Sequence, residues 1–270
     1  MKAYRNCSAD DLPALKRLWL ACFDEKETAA ELFFKRNKTT FHAYACDCGG
    51  AVVSALYLID CTLNGAPAHY LCGASTLPQY RGRGIMSGLI AYALKDAEER
   101  GDRMSVLLPA NEALYGFYGR LGYKTGCAVK TKRFSTDTCM AFKSGKPDLQ
   151  ELQKLCYKNK FLLWNNDYIS FAAEYYGCYG AKTAEGKNAF AIYEADTESA
   201  EVIYAVYNDI EELKALLRAE GIKEFGLSGS ADSPLFAGKK AVPHGMIRPL
   251  GGRREENGKT EDVYIGITLQ

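Results

Sequence analysis

The first third of the chain alternates between two apolar spacings. "SADDLPALKRLWLACF" sets Leu12, Leu15, Leu18, Trp19 and Cys22 on one helical face, with Ser8 or Asp10 as cap and Pro13 in the first turn. A strand is predicted ahead of it at 2–5, and a second helix at 28–37. "FHAYACD" and "AVVSALYLIDCTL", parted by Gly49 and Gly50, predict a hairpin. Asn64 and Gly65 predict a tight turn into the next strand, "AHYLCGASTL". A helix is predicted over 84–100, stopped by Gly101, and "MSVLLPA" reads as a short buried strand. A helix in "NEALYGFYGRLG" and strand-like "YKTGCAVKTKRF" follow. The order β-α-α-β-β-β-α-β-α-β predicts an α/β (α+β) mixed sheet flanked by helices.

"STDTCMAFKSGKPD" has the small polar residues, glycine and proline of a linker. Beyond it "DLQELQKLCYKN" and "NNDYISFAAEYYG" predict helices, and "AFAIYEA" and "EVIYAVY" predict strands. "NDIEELKALLRAEG" is a helix with an Asn/Asp start and a glycine stop. Later strands are predicted in "KEFGLS", "GMIRPL" and "VYIGITLQ". The second half thus repeats the hairpin–helix–strand order of the first. The expected division is a domain at 1–135, a linker at 136–147 and a second domain at 148–270.

Composition narrows the function classes. With 270 residues and a net charge of +1, the chain has no global basic field for nucleic acid. The charge is split, +5 up to Gly145 and −4 beyond it. No run reaches the roughly 18 apolar residues of a membrane span, and "MKAYRNCSADDL" has no apolar signal core, so a cytoplasmic location is expected. The ten cysteines form no Cys-x-x-Cys pair, and His42, His69 and His244 complete no zinc set; reduced core thiols are expected and no metal.

The chemistry concentrates at "QYRGRGIMSGL". A strand ends at Leu77, Pro78 bends the chain, and glycines open a helix. Glycines allow main-chain amides to approach an anion, and a helix N-terminus adds partial positive charge. Arg81 and Arg83 add full charges for phosphate oxygens. Gly-Lys-Ser/Thr and Gly-x-Gly-x-x-Gly are both absent, so neither a P-loop nor the dinucleotide fingerprint is present. The bland alternative is a structural loop with solvated arginines.

A second motif follows one strand later. Asn111 precedes Tyr118 by seven residues, and Tyr118 opens "YGRLGY". Together the motifs resemble the GCN5-related N-acetyltransferase (GNAT) superfamily over residues 1–135. Its Arg/Gln-x-x-Gly-x-Gly/Ala turn is matched by Arg81, Gly82, Arg83, Gly84, Ile85 and Met86, with Met86 where the family has Gly or Ala. Its Asn and its Tyr before a Gly-Phe/Tyr pair are matched by Asn111, Tyr118, Gly122 and Tyr123. The text around the tyrosine looks most like the enhanced-intracellular-survival (Eis-type) branch, in which a second, degenerate GNAT-like domain lacking the coenzyme turn follows the first. That branch ends in a sterol-carrier-like domain for which this sequence leaves no room.

The resemblance implies acetyl-CoA as co-substrate and an N-acetyltransferase acting by direct attack in a ternary complex. Its acceptor would be a primary amine of a small, cationic molecule. The amides of Arg83, Gly84, Met86 and Ser87 and the Arg81 side chain map to the pyrophosphate, and Ser75, Thr76 and Leu77 to the strand beside the thioester. Tyr118 maps to the general acid that protonates the leaving thiolate. The base is not identified by the motif: His69, Glu112 and Asp60 are candidates, and the carboxylate of Gln270 is the expectation from the Eis-type branch, against an ordinary last strand. Trp164, Tyr168, Phe171 and Tyr175 recur at helical steps, as a packed face or as a wall of rings for a cationic amine. The alternatives are a non-catalytic acyl-CoA-binding regulatory module and an aminoacyl-transferring tandem; the latter type loses the coenzyme turn that Arg81 to Gly84 retain.

Overall fold

A computed structural model describes residues 2–36, 41–157, 161–251 and 263–269. Its first elements are β1 (Lys2–Asn6), α1 (Leu12–Cys22), α2 (Glu27–Arg36), β2 (Phe41–Cys48), β3 (Ala51–Leu63), β4 (Ala66–Thr76), α3 (Ile85–Arg100), β5 (Met104–Leu107), α4 (Glu112–Gly119) and β6 (Lys124–Thr125). There follow β7 (Ala128–Ser135), α5 (Leu149–Tyr157), β8 (Leu162–Trp164), α6 (Asn166–Gly177), β9 (Lys182–Gly186), β10 (Ala189–Asp196), β11 (Ser199–Tyr207), α7 (Ile210–Ala219), β12 (Glu224–Ser230), β13 (Val242–Pro243) and β14 (Met246–Pro249).

The chain forms two units: Met1–Lys124 with Met246–Lys259, and Thr125–Gly245 with Thr260–Gln270. This differs from a cut at residues 135 and 148, and strand pairing gives the reason. β7 pairs antiparallel with β12, so it belongs to the second sheet although it follows β6, a strand of the first. β14 pairs antiparallel with β5 and returns to the first. Residues 136–147, expected as a linker, hold no helix or strand yet are fastened to the second unit: Thr136 N–H donates to the Lys223 carbonyl and the Arg218 guanidinium to the carbonyls of Thr138 and Met140.

In the first unit β1 to β4 run antiparallel in sequence order. The turns follow their residues: Gly49 and Gly50, then Asn64 and Gly65, all take positive φ, the backbone hand that twists a two-residue hairpin correctly. β4 then pairs parallel with β5, and α3 makes the crossover. Leu89, Ile90, Ala93, Leu94 and Ala97 of α3 bury one face against Tyr44, Leu56, Leu58 and Leu71 of the sheet. Tyr118, Tyr123, Met246 and Leu250 close the same core.

The second unit repeats this plan. β9, β10 and β11 are antiparallel, β11 pairs parallel with β12 across α7, and β7 pairs antiparallel on the far side of β12. Strand for strand this is the arrangement of β2, β3, β4, β5 and β14. "VYIGITLQ", expected as a last strand, makes only single bridges among its described residues, at Val263 and Tyr264.

Candidate active site

The turn between β4 and α3 is built from its glycines outward. Gly82 lies at φ +73° and Gly84 at φ +70°, and a Cβ on either would meet no atom within 4 Å. These glycines answer to backbone handedness, not to crowding. Gly84 is the N-cap of α3, and the first helical bond runs from Gly88 N–H to the Gly84 carbonyl at 3.1 Å. The amides ahead of it therefore lack intrahelical acceptors, and no acidic residue sits in the first turn. Helix-end partial charge adds to this donor set.

A groove of about 310 Å³ opens over these amides, with Thr76, Arg81, Gly84, Met86, Ser87 and Phe117 along its wall. Arg81 Nε donates to the Thr76 carbonyl at 2.9 Å, which fixes the guanidinium beside the end of β4. The Arg83 guanidinium stands 5.6 Å from the centre of the Tyr80 ring. Ile85 is buried with Cys46 and Val53, and Leu77 and Tyr80 pack on them, so the turn has an apolar floor. Met86 is half-buried against the cluster that holds Tyr118.

β4 leaves β5 early. Their pairing covers only Ala68 to Tyr70, and β4 continues to Thr76. Between Cys72 and Ser75 its register against β3 slips by one residue, a bulge, with Gly73 at φ +59°. The Leu77 amide is used in the sheet, donating to the Val53 carbonyl at 3.0 Å. By strand alternation the Thr76 amide faces the other way, toward the gap. Ser75 is buried, and its carbonyl accepts from Ser54 Oγ at 2.8 Å.

Tyr118 is buried in α4, 7% exposed, and its hydroxyl has no hydrogen-bond partner among the described residues. Burial, followed by the Cys72 thiol, pushes its pKa up to about 12. Asn111 is the N-cap of α4, yet its side chain makes no cap bond and lies exposed, available to a ligand.

Residues 3–126 match a family model described as the acetyltransferase (GNAT) domain. Residues 3–126 carry a GNAT acetyltransferase domain. No curated protein matches the chain. Solved structures do: a conserved protein of unknown function from Enterococcus faecalis is 15% identical at TM-score 0.71, covering 93% of this chain and 72% of that one. A GCN5-related N-acetyltransferase from Kribbella flavida is 18% identical at TM-score 0.70, covering 92% and 71%. Eis1 from Mycobacterium abscessus is 14% identical at TM-score 0.66, covering 92% and 73%. At such identities the likeness is one of fold, and it spans both units.

Within the GNAT domain the candidate bases are dispersed. His69 is completely buried, held by Asp102 at 2.7 Å and Ser105 at 2.8 Å. It lies seven residues before Thr76, roughly 23 Å along an extended strand. Asp60 pairs with His42 at 3.0 Å beside His69, and Glu112 is exposed in the first turn of α4. Gln270 lies outside the described residues. Trp164, on β8, and Tyr168, Phe171 and Tyr175, on α6, are all at most 2% exposed, so none offers an open ring face. Ring contacts carry the packing: Trp164 stacks on Tyr168 at 4.2 Å.

Sequence reasoning missed the Gly73 bulge, the Arg81–Thr76 bond and the setting of His69. A lone glycine inside a strand pattern was the available signal for the bulge. The other two depend on residues brought together only by the turn and by β4–β5 pairing. Among the described residues no helix is long and apolar enough to cross a membrane.

Proposed function

We propose that the first unit binds acetyl-CoA at the start of α3 and transfers the acetyl group to a primary amine of a small, cationic acceptor. The observation that carries this reading is the donor set itself: two left-handed glycines open a helix whose leading amides have no carbonyl partners among the described residues. Such a set fits a pyrophosphate, with Arg81 as the charged clamp and Arg83 beside it. The amides of Gly82, Arg83, Gly84, Ile85, Met86 and Ser87 cradle the phosphates. Asn111 and the Ser75–Thr76–Leu77 end of β4 line the path of the thioester arm, with the Thr76 amide as donor to the thioester oxygen.

The amine nitrogen attacks the thioester carbonyl carbon. The carbon–sulfur bond breaks, and the Tyr118 hydroxyl gives its proton to the leaving sulfur. Burial keeps the Tyr118 hydroxyl protonated, so the proton is in place when the sulfur leaves. Over the full cycle the proton lost by the amine replaces the one Tyr118 donated. Cys72 is no nucleophile here: burial holds its thiol protonated.

The test is thiol release from acetyl-CoA with a panel of aminoglycosides, polyamines and amino acids, for wild type and Tyr118→Phe. Turnover with at least one amine, cut about a hundredfold or more in Tyr118→Phe at unchanged coenzyme affinity, is expected. Acetyl-CoA binding without thiol release would favour the regulatory-module reading, and no binding would remove both.

A further inference from the structure

A chain of buried polar side chains runs beneath Tyr118 and has no part in the chemistry above. Asp102 and His69 are joined at 2.7 Å, His69 and Ser105 at 2.8 Å, and Ser105 and Tyr123 at 2.6 Å. His69 and Ser105 are cross-strand partners on β4 and β5 and are fully buried, and Tyr123 is nearly so. The direction of the bonds follows from charge. Burial holds His69 neutral, and burial opposes the Asp102 carboxylate less than its bonds to His69 and Arg100 favour it. Asp102 then accepts from His69 Nδ1–H, His69 Nε2 accepts from the Ser105 hydroxyl, and Ser105 Oγ accepts from the Tyr123 hydroxyl. Every donor has one acceptor.

The chain is fastened at both ends. Asp102 accepts from the Arg100 guanidinium at 3.2 Å, and Arg100 is the last residue of α3, whose first residue borders the anion cradle. At the other end the Tyr123 ring meets the Tyr118 ring edge-on, 5.8 Å between centres. The Tyr123 amide donates to the Tyr118 carbonyl at 3.2 Å, as does the Leu121 amide at 2.9 Å. Arg248 of β14 holds the same turn by donating to the Leu121 carbonyl at 2.6 Å.

We propose that Asp102, His69, Ser105 and Tyr123 form a positioning chain that sets the Tyr118 hydroxyl at the sulfur of the leaving group. The inference rests on Tyr118 being the general acid. Among the described residues the Tyr118 hydroxyl has no hydrogen-bond partner, so its place depends on the turn of α4 behind it. That turn is located by Tyr123, and Tyr123 is located by Ser105 and His69. A fully satisfied buried polar chain adds little net stability over apolar residues of equal volume. Its gain lies in directionality: hydrogen bonds fix a hydroxyl where apolar packing would leave the turn free to shift. A displacement of about 1 Å at a reacting group can cost up to a hundredfold in rate. These four act through Tyr118 and are positioning residues.

The test uses Tyr123→Phe, which keeps the ring and loses one oxygen, and Ser105→Ala, which breaks the chain one link further on. Both are assayed beside Tyr118→Phe with the best amine found. Each variant is expected to lose about tenfold in kcat, with the KM for acetyl-CoA within twofold of wild type. The double variant is expected to be no slower than the worse single one, since both cut one chain. Urea midpoints tell rate loss from unfolding, and Ser105→Ala serves should Tyr123→Phe fold poorly. If Tyr118→Phe is slow while both chain variants turn over at the wild-type rate, the positioning chain falls and the acid stands. If Tyr118→Phe is itself at full speed, the acid falls and the chain with it.

Discussion

Gly73 and Gly84 both lie in the left-handed region, at φ +59° and +70°, but only one has room for a side chain. A Cβ at Gly73 would stand 2.5 Å from Trp19 Cζ3 and 2.7 Å from Tyr57 Cδ2. Trp19 cannot easily yield. It stacks on Phe33 at 4.4 Å, meets Phe23 at 4.7 Å, and its Nε1–H donates to Glu25 at 3.2 Å. Gly73→Ala therefore combines a left-handed alanine, about 1–2 kcal/mol, with an overpacked core, about 1–3 kcal/mol. The sum is roughly 2–5 kcal/mol. Gly84→Ala meets open space and carries only the backbone part, about 1–2 kcal/mol. Urea unfolding followed by tryptophan fluorescence measures both. The midpoint of Gly73→Ala is expected to fall well below that of Gly84→Ala. Gly84→Ala is instead expected to weaken acetyl-CoA binding, because relieving its strain moves the amides of the turn. Should Gly73→Ala prove no more destabilised than Gly84→Ala, the bulge does not press on Trp19 as described, and the account of β4 is wrong.

Two further outcomes follow from the same geometry. Because burial raises the Tyr118 pKa to about 12, its working protonated form persists as pH rises, and kcat is expected not to fall between pH 7 and 10 on its account; an alkaline limb centred below 10 and lost in Tyr118→Phe would refute this. Arg81→Met keeps the aliphatic stem but loses the charge and the bond to Thr76, and is expected to weaken acetyl-CoA binding about tenfold by calorimetry and to flatten its salt dependence.

What the sequence could say depended on the range of the interaction. Hairpin turns and helix caps are local, so Asn64 and Gly65 and the Gly101 stop of α3 appear where expected. The turn before α3 is equally local, since two glycines and a helix start lie within a few residues. Sheet membership is not local. Nothing in "YKTGCAVKTKRF" tells that β7 pairs with β12 nearly a hundred residues later, nor in "GMIRPL" that β14 returns to β5. β9 was missed because "KTAEG" alternates around a small alanine, too weak an apolar signal for a strand. His69 could be found as a residue but not as a link, because its partners Asp102 and Ser105 reach it only through the parallel register of β4 and β5.

The second unit repeats the frame of the first without its glycine turn. It keeps the frame: β11 bulges against β10 between Tyr204 and Val202, and parallel pairing with β12 stops at Val202 and Leu227. The strands part there much as β4 parts from β5. The helix start that follows is of opposite character. Asp209 caps α7, accepting from the Glu211 amide at 2.8 Å, and Glu211 and Glu212 fill the first turn. Three carboxylates stand where the first unit has none, so the donors are answered internally and a pyrophosphate would meet like charge. The gap is also occupied. Tyr264 donates to the Ser228 carbonyl, the first residue of β12 past the pairing. A Cβ on Gly266 would lie 3.3 Å from the ring of Tyr204, on the facing strand, and Trp164 Nε1–H donates to the Ile265 carbonyl at 2.8 Å. Residues 264–266 thus touch both strands just beyond the point where they part. Under the function proposed above, an acidic helix start and a segment lodged in the gap both oppose coenzyme binding in the second unit. The second unit keeps the frame without the glycine turn, so the turn of the first unit is not a consequence of the fold.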